Sequence, residues 1–181
     1  MESPEEIEWI RRIKLGDMEC FSRLYKKYHQ HIYSLCYQFT RHKSDAEDQL
    51  QDIFMRVLEK VSSFEEKSAF STWVTRLAVN HLINFQNRRK DFLTDDFVDD
   101  AHISLQTQKS TELGISLQQA IFSLPKGYRE VVILHDQLGL HHDEIAKLLD
   151  IKASSSRSQL CRARLMLREA LKDYSAEVVD V

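Results

Sequence analysis

Apolar side chains recur every three or four positions along most of this chain, in runs separated by short polar breaks. Residues 5–15 place Ile7, Ile10, Ile13 and Leu15 on one side of a short helix; Gly16 breaks it and Asp17 serves as the N-cap of the next. From 18 to about 40, Phe21, Leu24, Tyr25, Tyr28, Ile32, Leu35, Cys36 and Phe39 form a single stripe. Ser44-Asp45-Ala46-Glu47 has the form of a capping box and opens a helix to about residue 61, with Leu50, Ile53, Phe54, Val57, Leu58 and Val61 buried. A polar loop, 62–68, precedes a fourth helix over 70–89 that turns Trp73, Val74, Leu77, Ala78, His81, Leu82 and Phe85 inward. The pattern then stops over 91–111, which is acidic and turn-rich and has the composition of a flexible linker. Helices resume at 113–124. Pro125 takes the first position of the next, and Gly139 ends it. A short helix around Ile145, Leu148 and Leu149, the turn Asp150-Ile151-Lys152 and a longer helix from Ala153 make a helix-turn-helix.

Composition agrees with an all-α fold: among 181 residues there are 4 Gly and 2 Pro, too few for many tight turns, and 43% are hydrophobic. That length holds one ordinary domain or two small ones, and the polar break argues for two: 1–90 and 113–181, joined by the acidic linker 91–112. The formal charge of −3 speaks against indiscriminate coating of nucleic acid, yet it hides a strong polarity. Residues 152–172 carry Lys152, Arg157, Arg162, Arg164, Arg168 and Lys172 against Glu169 alone. Residues 91–112 carry Asp91, Asp95, Asp96, Asp99, Asp100 and Glu112 against Lys109. Cys20, Cys36 and Cys161 are too few for a disulfide scaffold and too dispersed for a metal motif, so they read as buried thiols. No apolar run approaches about 18 residues, and no signal peptide is visible, which places the chain in a reducing cytoplasm.

Three polar faces carry candidate chemistry. On the helix from Asp45, the outward residues are Glu47, Asp48, Gln51, Asp52, Met55 and Arg56, a set that by itself reads as solvated surface. On the next helix the outward face is Thr72, Thr75, Arg76, Val79, Asn80, Ile83, Asn84 and Asn87, ending in Arg88-Arg89-Lys90. Amides donate and accept at one base edge, while terminal cations hold phosphate. Three asparagines weaken a helix, which points to a use other than folding. The last helix presents Ser154, Ser155, Arg157, Ser158, Gln159 and Arg162 after Lys152, with Leu160, Ala163 and Leu167 facing the domain. Its small, hydroxylic and guanidinium groups suit a major groove. Arg129 could touch phosphate or pair with Glu130. Metal is not expected at His141-His142-Asp143, because adjacent helical residues diverge by about 100°. No phosphate loop, nucleophile elbow or paired catalytic carboxylates stand out, so neither a cofactor nor enzymatic activity is expected.

The segments SDAEDQLQDIFMRVLEKVSSF, SAFSTWVTRLAVNHLINFQNRRK and LPKGYREVVILHDQLGLHHDEIAKLL, in that order, resemble a bacterial sigma factor of the extracytoplasmic-function group, over residues 15–90 and 115–172. The resemblance implies an alternative sigma subunit without catalysis of its own, binding the clamp and flap regions of core RNA polymerase. Glu47, Asp48, Gln51, Asp52, Met55 and Arg56 would then dock on the clamp. Thr72, Arg76, Asn80, Asn84, Asn87 and Arg88 would bind and help to melt the −10 element. Phe64, Lys67, Ser68, Ala69, Phe70 and Ser71 would capture an unstacked base, with Trp73 in the core. The helix-turn-helix, with Arg129, would read duplex DNA at −35. The linker would run through polymerase channels, and an anti-sigma protein would be the regulator.

Two positions depart from the family pattern. His141 stands where a serine or threonine caps, and Ser156 stands where an apolar residue packs, which is expected to loosen the start of the last helix. Two other readings remain open. One is a stand-alone helix-turn-helix regulator, against which the asparagine-rich helix speaks. The other is a sigma-like protein that binds anti-sigma but does not initiate.

Overall fold

A computed structural model describes residues 3–92 and 112–172, and among them every regular element is helical. The acidic stretch 93–111, on which most of the linker reading rests, lies outside the described residues. The chain divides into two compact units, Met1–Ala101 and His102–Val181.

In the first unit, Ser3 caps α1 (Pro4–Lys14), its hydroxyl accepting from Glu6 N–H at 3.2 Å. Gly16 turns the chain with φ +93°, and the Asp17 carboxylate accepts from Glu19 and Cys20 N–H at 2.9 and 3.0 Å to start α2 (Met18–Thr40). That turn leaves Leu15 88% exposed, contrary to its expected place on the apolar side. Arg41, at φ +58°, ends α2, and Thr40 Oγ1 bonds the backbone of His42. The turn therefore delivers the chain directly into α3 (Lys43–Lys60), with His42 as N-cap. The capping box expected at Ser44 does not form, because Ser44 already lies inside the first turn.

A single 3₁₀ turn, Val61–Ser63, leads by way of a loop to α4 (Phe70–Phe92). The long α2 is central, packing against α1, α3 and α4. Leu24, Ile32, Cys36, Ile53, Phe70, Val74, Ala78 and Leu82 are all fully buried there. Burying these apolar faces is what stabilises helices of this length. Cys36 reads as sequence suggested, its thiol pushed up to about 12 by burial. One carboxylate is buried with them: Glu6 accepts from the Tyr28 hydroxyl and from the Lys27 ammonium, which ties α1 to α2.

In the second unit, α5 (Glu112–Ser123) packs on α6 (Lys126–Val132) and α8 (Ala153–Ala170). Pro125 is the N-cap of α6 rather than its first helical residue. The helix expected to run to about 137 loosens into a π turn over Ile133–Gln137. Gly139, at φ +69°, then closes it by donating to His135 O at 3.0 Å. The next helix, α7 (His142–Leu149), is joined to α8 by Asp150 in the left-handed conformation, the tight turn of a helix-turn-helix. Ile133, Leu134, Ile145, Leu160 and Ala163 meet in the core of this unit.

Candidate functional site

The outward face of α3 carries what the sequence placed there. Glu47, Asp48, Gln51, Asp52, Met55 and Arg56 are all exposed, and Met55 is 60% open. A methionine held in water among carboxylates can supply apolar area to a partner whose charges the acids orient. Behind this face lies a contact the periodicity did not reveal. Gln49, on the buried stripe between Ala46 and Ile53, meets His81 of α4, with Oε1 at 2.8 Å from Nε2. His81 Nδ1 has no partner, and burial holds the imidazole below its ordinary value, helped by Arg56 and opposed by Asp52. The signal was a polar residue in an apolar register, but its partner stands 32 positions away.

On α4, Thr72, Arg76, Asn80, Asn84, Asn87 and Arg88 are exposed, and Lys67, Ser68 and Ser71 are exposed before it. Val79 and Ile83 were expected on this wet face and are instead buried. The helix is covered on more than one side, so its open strip is narrower than the sequence suggested. Phe64 and Phe70, expected to help capture a base, are likewise core residues. They are 3% and 0% exposed, with rings edge to face at 5.3 Å. Trp73 is half-buried, 5.5 Å from Phe64 and 5.3 Å from Phe70, and its remaining surface flanks the exposed strip. Helix α1, outside the stretch that carried the resemblance, anchors the loop. Lys14 donates to Phe64 O at 2.6 Å, and Arg11 pairs with Glu66 at 3.5 Å. Lys67 and Ser68 thus follow a stretch pinned at Phe64 and Glu66, and Ala69 is half-buried. The side chains of Arg89 and Lys90 lie outside the described residues.

On α8, Ser156, Leu160 and Ala163 are buried, so Ser154, Ser158, Cys161 and Leu165 form the outermost strip. Cys161 is exposed, not buried as expected. Lys152 and Arg157 are exposed and Ser155 is half-buried. Arg162 bonds Tyr128. Gln159 turns aside: its amide lies against Gly127 of α6 and Oε1 is buried without a partner, so it does not stand out as a base reader. Arg129 is also corrected. It is 6% exposed and donates to Phe122 O at 3.3 Å and Leu124 O at 3.1 Å, satisfying carbonyls at the end of α5 rather than reaching for phosphate. Arg164 forks onto Asp136 at 2.5 and 3.1 Å, which lowers the Asp136 carboxyl. Among the described residues, no cluster of His, Cys, Asp and Glu could hold a metal ion, and no helix is long and apolar enough to cross a membrane.

The exposed acidic face of α3, the amide-bearing strip of α4 and the basic helix-turn-helix of the second unit are the three polar surfaces the sequence led to expect. Comparison with known proteins makes this specific. The family described as Sigma-70 region 2 matches residues 24–92, and that described as Sigma-70, region 4 matches 114–167. The chain is 31% identical over 180 residues to the ECF RNA polymerase sigma factor SigW of Bacillus subtilis, spanning 91% of this chain and 95% of that protein. It is 28% identical to the ECF RNA polymerase sigma-E factor of Escherichia coli, over 86% of this chain and 88% of the relative. Its fold matches that of the sigma factor RpoE in its complex with the anti-sigma factor NepR from Bartonella quintana. The TM-score is 0.60 at 23% identity, over 84% of this chain and 96% of that one. CnrH, solved with the cytosolic domain of CnrY, matches at TM-score 0.54 and 18% identity, over 91% of this chain and 96% of that one. The chain belongs to the extracytoplasmic-function sigma factors of the sigma-70 family, alternative subunits that direct RNA polymerase to promoters.

Proposed function

We propose a division of labour between the two units. The exposed face of α3, from Glu47 to Arg56, docks on the polymerase clamp, with Met55 as its apolar contact. The strip Thr72, Arg76, Asn80, Asn84, Asn87 and Arg88 binds the −10 element as it opens. Lys67, Ser68 and Ser71 meet a base drawn out of the stack, with the free side of Trp73 next to them. In the second unit, Lys152, Ser154, Arg157 and Ser158 read the −35 duplex, while the polymerase flap holds this unit in register. Residues 91–112 tether the two, and their carboxylates suit a channel built for nucleic acid.

Bond making belongs to the polymerase, and the chain acts in the cytoplasm under an anti-sigma partner that covers its DNA-reading faces. The observation that carries this reading is the exposed amide and arginine strip on α4, which has no role in the core. Run-off transcription from a promoter library, with core polymerase and with or without this chain, tests it; no transcript from any promoter would refute it. Asn80→Ala is expected to lose opening, and to be rescued by a premelted template. Arg157→Ala is expected to lose anchoring and not to be rescued; the reverse pattern would overturn the assignment.

A further inference from the structure

One of the two departures from the family pattern, the serine in an apolar slot at 156, meets the residue that follows the other, His141. Ser156, in the first turn of α8, is fully buried, and its Oγ lies 2.9 Å from Nδ1 of His142, the first residue of α7. A hydroxyl closed off from water needs such a partner, so the serine does not simply weaken the packing. The His142 ring is stacked on His135 of the π turn, centroids 4.6 Å apart and planes within 25°. His135 Nδ1 is 2.9 Å from Asp136 Oδ1, and Asp136 receives the Arg164 fork. The recognition helix is thus held at Ser156 and again two turns later at Arg164, through one chain of contacts that passes by His142.

We propose that His142 is a positioning residue for promoter anchoring, setting the pose of α8 through Ser156 while its ring is neutral and releasing it when the ring is protonated. The proposal rests on the assignment of α8 to the −35 element. The groups around the ring favour the neutral form. From α8 come Arg157 and Arg164, and Arg168 lines the same groove; from the π turn comes His135, whose neighbour Asp136 is paired with Arg164; on α7 itself Asp143 opposes them. The ring also sits at a helix N-terminus, where a cation is disfavoured. Burial first, then His135 and Arg157, hold its pKa below the ordinary value. With Nδ1 unprotonated, the Ser156 hydroxyl donates to it; protonation reverses that bond, so that Nδ1–H donates to Ser156 Oγ, and sets a cation against Arg157 and Arg164, which pushes the ring away from α8. The contact is therefore strongest above the ordinary histidine value and weakens as pH falls through the lowered one.

The test uses the holoenzyme and a duplex promoter with or without its −35 element, titrated from about pH 7.5 to about pH 5.5. The wild type is expected to lose about tenfold more −35-dependent affinity over this range than variants that cannot titrate here. Ser156→Ala should bind about five- to tenfold more weakly at the upper pH and show a flattened profile. The apolar pair His142→Leu with Ser156→Val should fold, bind close to wild type at the upper pH and show no such slope. If His142→Leu/Ser156→Val keeps the wild-type pH profile, or if His135→Asn alone abolishes it, the proposal is overturned. If Arg157→Ala leaves −35 dependence intact, it is instead the assignment of α8 that fails.

Discussion

Arg129→Ala separates a structural arginine from a DNA-binding one, and the structure supplies the size of the effect. The guanidinium is 6% exposed and serves two carbonyls at the end of α5, Leu124 O at 3.1 Å and Phe122 O at 3.3 Å. Hydrogen bonds from a charged donor contribute about 1.5–3 kcal/mol each, and the longer of these is the weaker, so truncation should cost about 3 kcal/mol. For a unit of this size that corresponds to a fall of roughly 12–24 °C in the melting temperature of the second unit. Calorimetry of the full chain measures it, alongside Arg157→Ala, whose exposed side chain predicts a change within about 0.5 kcal/mol. Arg129→Lys keeps the charge but not the planar guanidinium whose one nitrogen meets both carbonyls, and should fall between wild type and alanine. The two arginines should exchange places in DNA binding. Arg157→Ala weakens holoenzyme binding to promoter duplex and reduces the salt slope by about one ion, whereas folded Arg129→Ala leaves that slope alone. A melting temperature within about 2 °C of wild type, together with a reduced salt slope, would show that Arg129 reaches phosphate and that this reading of its burial is wrong.

Three further outcomes follow from the first unit. Phe64→Ala should destabilise it by about 3–5 kcal/mol in urea denaturation, as for a buried aromatic, while Lys67→Ala should leave stability unchanged and slow promoter opening in permanganate footprinting. His81 is held below its ordinary value of about 6.5, so the stability linked to it is complete above that value and erodes as pH falls towards the lowered one. His81→Gln should lessen this acid-side loss in urea midpoints measured across pH, and parallel curves would contradict it. Met55→Asp, on the exposed face of α3, should weaken binding to core polymerase by about tenfold or more in a fluorescence titration without lowering the melting temperature. Unchanged affinity would move the docking surface elsewhere.

Much of the architecture was legible before any coordinates. The stripes on α2 and α3, the cap at Asp17, the turn at Asp150 and the stop at Gly139 all stand where periodicity and local chemistry put them. So does the exposed acidic face of α3. Errors gathered where one residue type serves two ends. Aromatic residues in a polar loop suit either a base or a core, and Phe64 and Phe70 turned out to be core. An arginine near a helix start suits either phosphate or carbonyls, and Arg129 took the carbonyls. The capping box at Ser44 lost to a turn at Thr40 and Arg41 that makes His42, two positions earlier, the N-cap.

What the chain alone determined is where each helix lies and which side of it is apolar, because residues three and four apart share a face whatever surrounds them. What only the tertiary structure decided is which polar residues are enclosed and by whom they are met. His81 finds Gln49, Glu6 finds Tyr28, and Ser156 finds His142 across 14 to 32 positions of chain. No local periodicity encodes such meetings: they exist only once apolar faces have been brought together and a buried donor or acceptor must find its partner inside.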